Sequence, residues 1–464
     1  MESLLSLTIG GLLALILGTI RSLRASVPWV SGASGAIAVA LGIYTALQLP
    51  VPRSSFWNML WGGGIYSLLA AGISLVLLIA IPFLANHPLY RSERQGWEVF
   101  PLTLLIGTAL ISLAASNHFL LSVVAVETAA LGSYVLISFI GGNKLAVEAS
   151  IKYFLMGALG FALLLMGFSY LYGITGTLYI HHLRPMKWEG WQDSSSFALA
   201  VGLIGMGIFF KLAVFPFHWG APDAYGGAIP SAAGLVAATA KLSAAFLAGQ
   251  VLYAVQIPPS WLSAAALLAA FSALYGNLAA LSQKQLQRML GYSSVAHGSY
   301  MLLALCAGAE GILASWAYAL VYGLMSVLAF GLIGLQENPL EEKELRGLGY
   351  RQPGYAVALA VALVALAGIP PLAGFFAKYA LFVSAFRAGF TLPAVVSLLS
   401  ALVGYYYYWR PVGWLFQLGS GAASTRPILA IGAFLLVIVG ILPTLVWGWM
   451  DYLYGLAGLF QSRP

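Results

Sequence analysis

Charged side chains are scarce in this sequence. Asp, Glu, Lys and Arg make up 8% of 464 residues, while 61% are hydrophobic. Soluble domains carry about 25% charged and roughly 45–50% apolar residues. A water-soluble fold of this composition would expose far too much apolar surface, so a lipid bilayer is the solvent that fits. Cysteine is nearly absent: Cys306 is the only one, in an apolar run. A single cysteine excludes an internal disulfide, a thiolate cluster site and a CxxCH haem attachment. No GxGxxG fingerprint is present either, so no redox centre is expected in this chain. The formal net charge of +7 brings no run of five Lys or Arg, which argues against nucleic acid as a partner.

What the chain has in quantity is long apolar runs and glycine, 52 of them, and glycine is commoner in membrane helices than in soluble ones. At roughly 20 residues per crossing, about fourteen segments are long enough to span. They fall near 3–20, 28–48, 62–86, 100–116, 117–140, 149–173, 196–218, 229–255, 261–282, 289–308, 311–335, 355–386, 391–410 and 426–448. The expected fold is therefore an all-α integral membrane protein of about 14 transmembrane helices. Arg21 and Arg24 follow the first apolar run instead of leading it, unlike a secretory signal. The first helix is read as uncleaved, with its N-terminus outside.

Loop charge supports that count. The odd-numbered loops hold Arg21, Arg24, Arg91, Arg94, Lys144, Lys152, Lys284, Arg288, Lys343, Arg346, Arg351, Arg410 and Arg426. The even loops and the tail hold only Arg53, Arg184, Lys187, Arg387 and Arg463. By the positive-inside rule, odd loops are cytoplasmic and both termini lie on the other side, in a membrane expected to be the bacterial inner one.

Three basic residues remain, Lys211, Lys241 and Lys378, each inside an expected helix, as is Glu127. An ionisable group at mid-bilayer costs about 2.5–3.5 kcal/mol on insertion scales, and a lysine so deep cannot snorkel to the headgroups. One such lysine could simply fix helix packing by bonding to backbone carbonyls. Three lysines and a glutamate in one chain favour a proton path. Lysine suits it, because burial favours the neutral amine and a nearby carboxylate the charged one, whereas arginine stays protonated.

Two of the lysines adjoin helix breakers. Lys211 precedes Pro216, and Lys378 follows Pro370-Pro371. A proline frees carbonyls that lipid cannot satisfy; taken alone, either break could be a passive kink. Segments 4–8 and 9–13 start on opposite sides, five helices each, with a broken helix fourth in each block. That is the geometry of an inverted repeat. The expected division is 1–99 for the N-terminal helices, 100–255 and 261–410 for the two repeats, and 411–464 for the last helix and tail. His218 and His297 read as lying at helix ends or mouths, where bonding to carbonyls or a secondary proton relay are the options. His181-His182 lacks a second ligand pair, so no metal site is expected. Tyr405 to Tyr408 reads as an aromatic belt.

At these motifs the sequence resembles the antiporter-like membrane subunits of the proton-pumping NADH–quinone oxidoreductase, respiratory complex I, most closely the N-type subunits. The likeness runs from about Glu127 to about Arg410. Its landmarks include Glu148-Ala149 with Lys152-Tyr153-Phe154, Pro216-Phe217-His218, Pro222-Asp223-Ala224-Tyr225, Gly276-Asn277, Arg288-Met289-Leu290-Gly291-Tyr292-Ser293-Ser294 and Gly368-Ile369-Pro370-Pro371. The resemblance implies that Glu127 pairs with Lys211, that Lys241 is a central relay and that Lys378 stands near the exit. It also implies partner subunits, membrane and peripheral, that hold the quinone, NADH, FMN and iron–sulfur clusters. Lysine at 378 sets the expectation against subunit M, and the lack of a long C-terminal lateral helix against subunit L. Trp219-Gly220-Ala221 and Gly226-Gly227-Ala228-Ile229 depart from the family's usual residues. The alternatives are a subunit of a cation/proton antiporter or membrane-bound hydrogenase, distinguished by neighbouring genes, and a non-transporting scaffold, in which the buried charges would be replaceable.

Overall fold

A computed structural model describes residues 1–49, 52–55, 57–86, 90, 96–139, 144–188, 190–192, 194–336 and 341–417. Helices dominate, as they must where lipid offers the backbone no hydrogen bonds. The main ones are α1 (Glu2–Thr19), α2 (Val27–Gln48), α3 (Gly64–Ala85), α4 (Val99–Ala114), α5 (Phe119–Phe139) and α6 (Lys144–Thr175). They continue with α7 (Ser195–Leu212), α8 (Gly220–Gly227), α9 (Pro230–Ala254), α10 (Pro259–Leu281) and α11 (Leu286–Leu305). The last are α12 (Gly308–Ile333), α13 (Pro353–Ala367), α14 (Ala373–Arg387) and α15 (Thr391–Leu415). Each expected segment up to 391–410 finds its helix; the segment at 426–448 lies outside the described residues. Ten of the described helices are long and apolar enough to cross a membrane.

The expected breaks are present. The seventh segment divides into α7 and α8 around Pro216, and the twelfth into α13 and α14 around Pro370-Pro371. Phe215–Pro216 and Pro370–Pro371 are both cis. The repeat shows in which helices touch. Within the first block α4 packs on α5, α5 on α6, α6 on both halves of the broken helix, and α9 on α4 and α5. Within the second block α10 packs on α11, α11 on α12, α12 on both α13 and α14, and α15 on α10 and α11.

The blocks meet along α9 and α12, whose apolar stretches are 89% buried, against 28% for α1, α2 and α6. Small residues permit the close approach. A side chain at Gly234 of α9 would press within 3.0 Å of Ser326 O on α12. By contrast Leu5, Ile9, Leu12 and Ile16 of α1 remain exposed, as expected of a helix side turned to lipid.

A short hairpin was not read from the sequence. Arg53–Ser55 and Leu60–Gly62 form a short antiparallel hairpin, β1 and β2, with Ser54 opposite Trp61. It is tied to the α4–α5 turn by Trp61 N to Ala115 O at 2.7 Å and Asn117 N to Met59 O at 2.8 Å. Three-residue strands are too short for periodicity to register.

Candidate functional site

Where α7 breaks, Lys211 occupies the last turn and reaches across to α5. Its Nζ donates to Glu127 Oε2 at 3.3 Å, with the side chains 9% and 13% exposed. This is longer than the 2.7–2.9 Å of a tight charge-assisted bond. Beside the pair is a cavity of about 40 Å³, lined in part by Ser133, Tyr153, Tyr225, Thr239 and Ser243. A water needs about 10–15 Å³ of such space and several polar partners, so this pocket accommodates waters next to the ion pair.

Lys241 lies midway along α9 with no exposed surface. Its Nζ donates to Leu212 O at 2.5 Å, the last carbonyl of α7. Lys378, in α14, donates to Leu366 O at 3.0 Å and Ala367 O at 2.7 Å, the last carbonyls of α13. The end of every helix leaves four carbonyls without intrahelical partners. At α13, Gly368 adopts φ 83 and caps Val364 and Ala365 through its own N–H, and Lys378 supplies the donors for the remaining two. At α7, Ala213 takes the left-handed conformation at φ 55 and caps Phe209 and Phe210, and Lys241 supplies the donor for Leu212. Each ammonium thus sits on the negative end of a half-helix, and a charged hydrogen bond of this kind contributes about 1.5–3 kcal/mol.

His297 corrects its expected placement. It is 2% exposed and stands about two turns from the nearer end of α11, not at an end. Burial is tolerable because both ring nitrogens have partners: Nδ1 meets Tyr318 OH at 2.5 Å and Nε2 meets Tyr408 OH at 3.1 Å. Tyr408 OH also contacts Ser293 Oγ. His218 is at the break as expected, with Nε2 at 3.0 Å from Tyr275 OH.

The tyrosine run is corrected too. Because α15 continues past Pro411 to Leu415, Tyr405 to Tyr408 lie within the helix instead of at its edge. Tyr406 is 63% exposed and fits the belt, whereas Tyr407 and Tyr408 are interior. Sequence reasoning missed Tyr318, Tyr408 and Asn277 as members of the polar interior. The available signal was tyrosine at mid-helix depth, where an O–H needs a partner.

The structure therefore brings Glu127 and Lys211 together, sets Lys241 on the residue next to Lys211, and places Lys378 at the second break. On the face of odd-numbered loops, Arg410 donates to Leu281 O at 3.0 Å, Gln283 O at 2.7 Å and Glu342 Oε1 at 2.5 Å. Burial pushes the Glu342 carboxyl up from its usual range, against the pull of Arg410.

Comparison with known proteins agrees with this architecture. The family described as NADH:quinone oxidoreductase/Mrp antiporter, TM, matches residues 116–404. The NADH-quinone oxidoreductase subunit N of Deinococcus radiodurans is 35% identical over 436 residues, 90% of this chain and 88% of that protein. A chain of respiratory complex I from Thermus thermophilus with bound aureothin superposes with a TM-score of 0.80 at 32% identity, covering 96% of this chain and 98% of that one. A chain of the Mrp complex from a Dietzia species shares the fold, with a TM-score of 0.85 at 21% identity over 98% of this chain and 96% of that one. This chain belongs to the NADH:quinone oxidoreductase/Mrp antiporter family of membrane subunits, among the subunit N members of complex I.

Proposed function

We propose that this chain moves protons across the membrane through Glu127, Lys211, Lys241 and Lys378, with His297 and His218 as secondary relays. The drive is quinone reduction in partner subunits of an NADH–quinone oxidoreductase. The NADH, FMN, iron–sulfur clusters and quinone belong to those partners, and this chain acts as a non-redox translocase. Residues 100–255 and 261–410 are its two channel halves, in a bacterial inner membrane with both termini on the non-cytoplasmic side.

One observation carries the reading. Four ionisable groups that lipid would exclude each sit at or against a helix break: an ion pair beside a water-sized cavity, and two lysines on helix-end carbonyls. A lysine with a movable partner can take up and release a proton, since loss of the partner leaves desolvation to favour the neutral amine. In membrane vesicles holding the assembled complex, Lys241→Ala should abolish most NADH-driven proton movement. Full pumping by that complex would leave Lys241 only a packing role. For orientation, Lys343→Cys, on an exposed stretch, should react with an impermeant thiol reagent in inverted vesicles and not in intact cells. Gly347 in the same loop is the poorer position, because its φ of 77 disfavours a side chain.

A likeness of fold to Mrp antiporters does not separate the two kinds of complex, whereas 35% identity to a subunit N favours the quinone-linked one.

A further inference from the structure

Two backbone groups at the first break are met by side chains from other helices. Leu212 O, where α7 ends, accepts from Lys241 of α9. Three residues on, Phe215 N donates to Ser272 Oγ of α10 at 2.9 Å. Lys241 belongs to the same repeat as the break, whereas Ser272 belongs to the other one. Pro216, next in line, has no N–H to offer, and Ser272 has no exposed surface.

Ser272 is itself anchored. Its Oγ lies 2.8 Å from Ser299 Oγ of α11, and Ser299 Oγ lies 2.8 Å from Val295 O. A hydroxyl has one hydrogen, and a carbonyl only accepts. The assignment that uses each hydrogen once runs from Phe215 N–H to Ser272, from Ser272 O–H to Ser299, and from Ser299 O–H to Val295 O. In it each hydroxyl both accepts and donates, and bonds aligned in this way strengthen one another. Two more side chains of α10 grip the same stretch. Tyr275 OH stands 3.0 Å from His218 Nε2, and the Phe271 ring meets the Phe215 ring edge-on at 5.1 Å between centroids. Gly298, beside Ser299, lets α11 lie against Leu212 O, which a Cβ there would approach to 2.2 Å.

The second repeat thus holds the break of the first by a backbone donor. A buried N–H that loses its acceptor must turn to find another or stay unpaired at a cost. Only Ala213 and Val214 separate Phe215 from Leu212, so a turn at Phe215 is passed on to the Leu212 carbonyl.

We propose that Ser272 is a positioning residue for proton transfer at Lys241. By fixing Phe215 N–H from the second repeat, it holds the break in the conformation that aims Leu212 O at the Lys241 ammonium. Ser272 acts through the backbone of the break and carries no proton of the relay itself. The inference rests on the proton-relay reading of the chain.

The test uses the assembled complex in sealed vesicles and reads NADH-driven proton movement per complex, in ordinary and in heavy water. Ser272→Ala removes the acceptor and little volume. Its pumping rate should fall about fivefold, the rate equivalent of one hydrogen bond. Its solvent isotope effect should rise above that of wild type, because proton transfer at Lys241 becomes the slow step. Ser272→Thr keeps the hydroxyl and should restore both readings. If the alanine complex does not assemble, Ser272→Cys takes its place, since sulfur is a weak acceptor. A wild-type rate in the alanine complex overturns the proposal. So does a slow alanine complex with the wild-type isotope effect, since lost packing would then explain the rate, and so does a threonine complex as slow as the alanine one. The two ideas fail differently: full pumping by Lys241→Ala removes the relay, whereas normal pumping by Ser272→Ala beside a dead Lys241→Ala removes only the positioning role.

Discussion

The two repeats share a plan and differ in how each treats its charge. In the first, the break carries a cation paired with a carboxylate: Lys211 faces Glu127 at 3.3 Å, and a second lysine arrives from α9 to hold Leu212 O. In the second, Lys378 is held by the carbonyls of its own broken helix, and its other surroundings include tyrosine, such as the Tyr300 ring. A carboxylate partner makes charge on lysine depend on the separation of two helices. Helix-end carbonyls make it depend on the integrity of one break. The first arrangement suits a group that is switched, the second a group that is held ready.

The largest effects should come from the lysines on carbonyls. Lys378→Ala and Lys241→Ala should each stop most proton movement, and Lys→Arg should rescue neither, because guanidinium does not release its proton. If Lys378→Ala pumps normally in vesicles, the second repeat is not part of the path and the comparison collapses. Next come Glu127→Gln and Lys211→Met. Each should slow pumping by about tenfold, or ~1.4 kcal/mol, and the double variant should be scarcely worse than either single one. Additive losses in a double-mutant cycle would mean that the two residues act separately.

Smaller effects separate the two breaks physically. A Cβ at Gly298 would lie 2.2 Å from Leu212 O and 2.9 Å from Lys241 Nζ. Gly298→Ala should therefore disturb the first break alone, costing about 1–3 kcal/mol by overpacking and lowering the pumping rate. A thermal midpoint and pumping rate unchanged from wild type would mean that the break has slack. Smaller still should be the contact between Arg410 and Glu342. Arg410→Ala takes the ion partner from the buried Glu342 carboxylate and should cost about 1–3 kcal/mol in thermal unfolding of the detergent-solubilised complex. Glu342→Gln should cost less, since removing a buried carboxylate also removes its desolvation penalty. The reverse order would show that the carboxylate, not the guanidinium, organises that face.

Much of the fold was legible because lipid leaves so few options. Apolar runs give the crossings, and prolines at 216 and 370–371 mark both breaks. The buried lysines were legible for the same reason, being charges too deep to reach the headgroups. Their partners were not legible from the residues themselves, and the pairing of Glu127 with Lys211 came only from the family resemblance. A carbonyl left over by a helix break has no side chain to read, so Leu212, Leu366 and Ala367 carried no signal as hydrogen-bond acceptors. Glu127 and Lys211 are 84 residues apart, and periodicity within one helix says nothing about which neighbour its face meets. His297 and Tyr408 read as boundary residues because polar groups usually are; only the packing of α11 against α12 and α15 supplies the hydroxyls that let them lie inside.

Lys211 and Leu212 are consecutive, so one peptide step joins two bonds that point to different helices. The side chain of the first holds Glu127, and the carbonyl of the second holds Lys241. Any rotation of that last turn that lengthens one contact shifts the other. Occupancy at the two places is then bound by reciprocity: whatever protonation of Lys241 does to the ion pair, opening the ion pair does to Lys241 by the same free energy. On the proposed relay, two proton sites so tied would behave as a two-stroke element, in which the half-helix end is the crank and neither site has an affinity of its own.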